Sequence, residues 1–203
     1  MKNSFYMIFV LFCLLTGCAT QSVPSADIYT ISPEWGESSV RAEGEEKGRL
    51  VIKLAPVRAT RAFVGSEIIY TDEQYDWNSY AYSRWSDAPV RLLQTLFQVA
   101  LEKSDLFGAV LPPTSVSEAE LLLESTLLDL SHHIKDDGTS EGVVRVRFYL
   151  INNSTKTVTA TKEFVSRVPA SSQSAQGAAG ALNKAAINVA GDLTRWLTEP
   201  GRF

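Results

Sequence analysis

Val144, Val146, Phe148 and Leu150 alternate with Arg145, Arg147 and Tyr149, and a period of two predicts a strand with one buried face. The apolar run before it, LLLESTLLDLSHHI up to Ile134, fits helix or strand by periodicity alone. Asp137-Gly138 follows it as a turn, which favours two long antiparallel strands. Asn152 to Thr155 predicts a second turn, into a third strand over Thr157–Val168 rich in Thr and Val. Shorter strands are expected at Ile28–Ile31, Leu50–Val57, Glu67–Thr71, Ser79–Trp85 and Phe107–Leu111. Asp87-Ala88-Pro89 predicts a helix start, with the carboxylate capping free amides and proline in the first turn. Val90, Leu93, Phe97, Ala100 and Leu101 then recur at helical spacing to about Ser104. This gives a strand–helix–strand crossover with one of the earlier strands. Leu182, Ala186, Val189, Leu193, Trp196 and Leu197 form the apolar stripe of a second helix, stopped by Pro200-Gly201. Its many alanines favour close approach to a flat surface such as a sheet. The fold class is α/β (α+β): a single mixed, largely antiparallel sheet with a crossover helix and a long C-terminal helix.

The first residues follow another pattern. Phe5 to Leu15 is wholly apolar behind Lys2, well short of the ~20 residues of a spanning helix, and reads as the core of a secretory signal. Leu15-Thr16-Gly17-Cys18 follows, which resembles the lipobox of bacterial lipoproteins. That resemblance implies cleavage before Cys18, with acyl chains on its thiol and on the new amino terminus. Several chains on one residue anchor a protein durably, whereas one gives marginal binding. By lipoprotein sorting habits, Ala19 suggests the outer membrane. Ala19 to Asp27 is small, polar and aperiodic, a tether able to reach roughly 30 Å from the bilayer at ~3.4 Å per extended residue. The expected organisation is a signal peptide at 1–17, a lipidated tether at 18–27 and one folded domain at 28–203. Glu34 to Lys47 reads as an acidic surface loop containing Trp35.

Composition narrows the chemistry. The 203 residues carry 19 Lys and Arg against 23 Asp and Glu, a net charge of −4, which argues against a nucleic-acid partner. Both cysteines, Cys13 and Cys18, lie in the signal or at its end, so the folded part has no thiol for a disulfide or a Cys-based zinc site. His132 and His133 are neighbours and point to opposite faces of a strand, so they do not jointly grip a metal. No nucleophile elbow, phosphate loop or HExxH motif occurs. No catalytic residues, metal or cofactor are expected, although a Ser/His/Asp site assembled in space around either histidine stays open. One stretch is unusual: Tyr70, Tyr75, Trp77, Tyr80, Tyr82 and Trp85 crowd into sixteen residues. Amphipathic aromatics with few lysines suit a protein interface, so Tyr75, Trp77, Tyr80 and Tyr82 are the candidate partner-binding residues. Alternate packing into the core and small-ligand binding are the competing readings.

Taken in order, Tyr-x-Ile after the lipobox, the Leu50–Val57 strand, Ile68 to Tyr70, Tyr82-Ser83-Arg84-Trp85-Ser86-Asp87-Ala88-Pro89 before the Leu-rich helix, and Phe107 with Val110 resemble the ABC-type transport auxiliary lipoprotein component family, whose best-known type is PqiC-like. The likeness runs from about Tyr29 to Leu197. It implies an anticodon-binding-like or TolB N-terminal-like fold and no catalytic residues. It also implies a non-catalytic lipoprotein subunit of an MCE/ABC-type intermembrane lipid transport system, with an MCE-domain protein and its ABC transporter complex as partners. Self-association into a homo-oligomer is left open. The acidic 34–47 loop and the aromatic 71–81 segment depart from the family pattern. Two other readings stand beside this one: a lipid-binding carrier with an apolar cavity under its C-terminal helix, and a membrane-tethered hydrolase.

Overall fold

The computed structural model describes residues 25–32, 50–72, 76–199 and 201. The signal peptide, Cys18, most of the tether, the 34–47 loop with Trp35, and Tyr75 lie outside the described residues. Element order is β1 (Asp27–Tyr29), β2 (Val51–Leu54), β3 (Arg58–Ala59), a 3-10 turn (Arg61–Phe63), β4 (Glu67–Thr71), β5 (Asn78–Trp85), α1 (Pro89–Lys103), β6 (Ala109–Leu111), β7 (Leu121–Ile134), β8 (Ser140–Asn152), β9 (Thr157–Pro169) and α2 (Ala175–Leu197).

β7 is the spine of the sheet. On one side β8 pairs with it antiparallel along its whole length, from Leu121↔Asn152 to Ile134↔Ser140, and β9 pairs antiparallel with β8. Gly138, at φ +82°, makes the first hairpin turn as the Asp-Gly pair predicts. On the other side three short strands take up successive stretches of β7 in parallel: β2 at Leu121–Leu123, β3 at Thr126–Leu127 and β4 at Ser131–His133. Two wings grow from these. β6 adds to β2 in parallel, while β5 adds antiparallel to β4 and β1 adds in parallel to β5. The long pairings are antiparallel and the short ones largely parallel, and the strand after α1 returns to β2, as the crossover requires.

Burial along β7 changes parity. Leu121, Leu123, Ser125 and Leu127 face the core, then Leu130 and His132 do, because the register slips between Leu127 and Asp129. A bulge inserts one extra residue and thereby moves every later side chain to the opposite face. That slip sends His132 inward and leaves Asp129 and His133 on the outer face.

Both helices cover the inner face. α1 buries Leu93, Leu96, Phe97 and Leu101. Its cap differs from expectation: Ala88 occupies the N-cap without a side-chain bond, and Asp87 Oδ1 accepts instead from the Ala88 amide at 2.6 Å and from Arg91 Nε at 2.7 Å. Pro89 has no N–H to offer, so the carboxylate takes the nearest donors. α2 begins at Ala175, well before Leu182, the first residue of its apolar stripe, with Ser174 Oγ accepting the Gly177 amide at 3.3 Å. Its small residues let it lie close on β8: a Cβ at Gly142 would stand 2.7 Å from the Leu182 nitrogen and 2.8 Å from the Ala181 carbonyl carbon. Aromatic rings tie the layers together, Phe97 of α1 meeting Phe148 of β8 at 5.1 Å, Phe148 meeting Phe164 of β9 at 6.1 Å, and Phe164 meeting Trp196 of α2 at 6.2 Å. Fully burying one such side chain stabilises the fold by ~1.5–3 kcal/mol.

Candidate docking face on the aromatic wing

The aromatic residues of the β4–β5 wing divide by what each ring touches. Trp85 ends β5 at 1% exposure, its amide bonded to the Ser66 carbonyl at 2.7 Å, and belongs to the core. Tyr70 and Tyr80 pack together at 4.8 Å. The Tyr80 hydroxyl lies 2.7 Å from His132 Nδ1 and donates to the Gln173 carbonyl at 3.0 Å. Burial, and then the charge of a neighbouring Tyr70, push the Tyr80 phenol up to about 12, so it is a neutral donor under all ordinary conditions.

Trp77 and Tyr82 face outward. Trp77 rests on Phe63 at 5.2 Å between centroids and is still 47% exposed, while Tyr82 is 56% exposed. Ile28 of β1 lies opposite Arg84 in register and is also exposed, as is Val64 after the 3-10 turn. Ile28, Val64, Arg84 and Arg91 line one open depression of about 390 Å³ above the buried Trp85. Of the four candidate partner-binding residues, Trp77 and Tyr82 are therefore presented to solvent. Tyr80 has its hydroxyl committed within the fold and holds the wing in place, and Tyr75 lies outside the described residues. The exposed Ile28 and Val64, at the rim of the depression over Trp85, carry no signal of their own in the sequence. Their pairing with β5 and the 3-10 turn exists only in three dimensions.

The outer face of β7 gathers Asp129, Ser131 and His133. Ser131 Oγ bonds to Asp129 Oδ1, and His133 Nε2 lies 3.0 Å from Ser131 Oγ and 3.1 Å from Asp129 Oδ2. The residue types are those of a hydrolytic triad, but the arrangement is not. A relay needs the serine on one imidazole nitrogen and the carboxylate on the other, whereas both partners here meet Nε2, and Ser131 is 1% exposed. An open cleft of about 590 Å³ beside His133 is walled by Thr71, Asp72, Lys135, Asp136, Glu141 and Arg167. Burial pushes the Glu141 carboxyl up, but its bonds to Arg167 and Lys135 outweigh that and hold it below the usual range. This ionic lining suits water better than an acyl chain. The sheet-to-α2 contact at Gly142 is closed by backbone. Among the described residues no three His, Cys, Asp or Glu side chains form a metal-binding group, and no helix is long and apolar enough to cross a membrane.

Comparison with known proteins places this geometry. No curated protein matches the chain. Protein XCC0632 from Xanthomonas campestris is similar in structure, with a TM-score of 0.71 at 18% identity over 85% of this chain and 94% of that one. An uncharacterized protein gives a TM-score of 0.66 at 11% identity over 86% and 100%. At these identities the likeness shows a shared fold. The PelC dodecamer from Paraburkholderia phytofirmans is more distant, with a TM-score of 0.41 at 15% identity over 84% of this chain and 93% of that one. Residues 29–193, from β1 through most of α2, match the sequence profile of one family. The chain belongs to the ABC-type transport auxiliary lipoprotein component family.

Proposed function

We propose that the protein is an outer-membrane-anchored, non-catalytic subunit of an MCE/ABC-type intermembrane lipid transport system. In this reading residues 1–17 are removed, the acylated Cys18 fixes the chain in the outer membrane, residues 18–27 are the tether, and the domain from 28 onward projects into the periplasm. There it docks an MCE-domain protein and, through it, the ABC transporter. Its work is attachment and positioning, with no bond made or broken. Trp77 and Tyr82, together with Tyr75, are the docking anchors. The observation that carries this reading is the exposure of Trp77 and Tyr82 on a wing whose other described aromatics, Tyr70, Tyr80 and Trp85, are tied inward, in a family that supplies auxiliary lipoproteins to transporters. Large amphipathic rings fixed by a sheet lose little freedom on binding and supply the central contacts of many interfaces.

The test is capture through a C-terminal tag from detergent-solubilised envelopes. The wild-type chain is expected to bring down an MCE-domain protein, Tyr82→Ala to bring down markedly less, and Cys18→Ala to leave the membrane fraction. Recovery without any MCE-domain protein would refute the docking reading, and Cys18→Ala remaining in the membrane would refute the anchor.

A further inference from the structure

His132 is fully buried, faces the core beside Leu130, and lies across from Gly142, where the backbone of α2 lies directly on the sheet. Its Nδ1 meets the Tyr80 hydroxyl, and its Nε2 has no hydrogen-bond partner among the described residues. A hydroxyl has one proton to give. Since Tyr80 also lies 3.0 Å from the Gln173 carbonyl, both contacts are hydrogen bonds only when Nδ1–H donates to Tyr80 and Tyr80 donates to Gln173. That tautomer leaves Nε2 a bare lone pair. A second proton there would create an N–H without an acceptor and a full charge in a dry site, the two costs that buried polar groups avoid.

The surroundings offer the charge no relief. β4 presents Tyr70 beside His132, and β5 presents Tyr80. On β7 itself Asp129 is engaged with Ser131 and His133 on the other face. On β8 Glu141 is paired with Lys135 and Arg167. The first two turns of α2, Ala175 to Leu182, carry no ionisable side chain. Burial, and then the neighbouring His133, accordingly hold the His132 imidazole below its usual range.

Tyr80 joins three parts of the molecule: β5 with the exposed Tyr82, the spine strand, and the segment leading into α2. That segment is held further by Gln173 Nε2 on the Gly138 carbonyl at 2.9 Å and by the Ala170 amide on the Ser140 carbonyl at 2.9 Å. We propose that the Tyr80–His132–Gln173 chain is an acid-released clasp, which leaves the docking face firm at neutral pH and slack in acid. A second proton on Nε2 finds an acceptor only where the ring reaches water. Acid therefore favours an opened form in which the imidazolium turns out of its site, Tyr80 comes off Gln173, and both β5 and the lead into α2 loosen. The link to docking rests on the function proposed above; the clasp itself does not.

Hydrogen exchange on the full acylated chain in detergent micelles, corrected for intrinsic rates, separates the two. From pH 7.5 to pH 5.5, peptides covering 78–85 and 170–177 should lose up to about tenfold in protection, the most that one imidazole of ordinary pKa in the open form can supply, while the turn at 152–157 changes little. Tyr80→Phe should leave those peptides weakly protected at both pH values, and His132→Leu, which keeps the Tyr80–Gln173 bond, should remove the pH response. If either variant fails to fold, titration of the His132 imidazole by nitrogen NMR in the wild-type chain gives the same answer, through a Tyr80 ring signal that shifts with the same midpoint. Equal protection at both pH values, or a pH response that survives in His132→Leu, would overturn the clasp. A clasp that opens in acid while capture of the MCE-domain protein stays unchanged would sink the docking link and leave the clasp standing.

Discussion

Gly142 is where α2 and the sheet meet backbone to backbone, and Gly142→Ala tests whether that contact is as tight as described. The new Cβ would lie 2.7 Å from the Leu182 nitrogen, 2.8 Å from the Ala181 carbonyl carbon and 2.9 Å from the Ala181 Cβ, against 3.4 Å for the inner limit of ordinary contact. None of these atoms is the end of a flexible side chain, so relief requires the helix to retreat by about 0.7 Å from β8. A gap of that size forfeits roughly a quarter to a half of each dispersion contact along the seam, and forced overpacking costs ~1–3 kcal/mol. Alanine recovers ~0.5–1 kcal/mol relative to glycine through the unfolded chain and strand preference, leaving a net loss of about 1–2 kcal/mol. In urea, with a slope of ~1–3 kcal/mol per M, the midpoint should fall by about 0.5–1 M at unchanged slope. Gly191→Ala is the control: it lies on α2 with nothing within 4 Å of the added carbon, and it should stabilise by ~0.5–1 kcal/mol. A Gly142→Ala chain as stable as wild type would refute the packing argument.

Asn183 holds the segment after β1 to α2, its Oδ1 accepting the Ser32 amide at 2.9 Å and its Nδ2 donating to the Ser32 carbonyl. Asn183→Ala should cost about 1 kcal/mol in urea melts and speed proteolysis near residue 32. Because Glu141 has a folded pKa below its unfolded value near 4.5, the folded state binds fewer protons. Its contribution is therefore present above pH 4.5 and lost as pH falls through the folded value, and Glu141→Gln should flatten the acid limb of a stability-against-pH curve. Tyr82→Ala should leave the unfolding free energy from urea melts within ~0.5 kcal/mol of wild type, yet weaken partner binding by roughly tenfold or more in a titration of purified components.

Much of the architecture is legible in residue order. The alternation from Val144 to Leu150, the Asp-Gly turn and the proline at the first position of α1 mark their elements because each is a local rule. The parity slip in β7 is written too, in Leu127-Leu128 followed by Leu130, where the apolar positions jump from odd to even. Its consequence, which histidine is buried, needs the partner strand that fixes the register. The start of α2 is hidden because Ala175 to Gly180 has no apolar contrast, and it helps form a helix only by lying on Gly142. The aromatic cluster stands out in the sequence, but which rings are free depends on contacts between residues far apart, such as Tyr80 with His132 and Gln173. Asp87 illustrates a competing local rule, since the proline that marks the helix start also removes the amide its carboxylate would have capped.

The central claim, that this domain works by docking an MCE-domain protein through its aromatic wing, is tested most directly by placing a photo-crosslinking amino acid at position 82 in intact cells. The account predicts a light-dependent adduct containing an MCE-domain protein, absent when the same group replaces Val158 on the exposed β9. No adduct at position 82, or the same adduct at both positions, would contradict it.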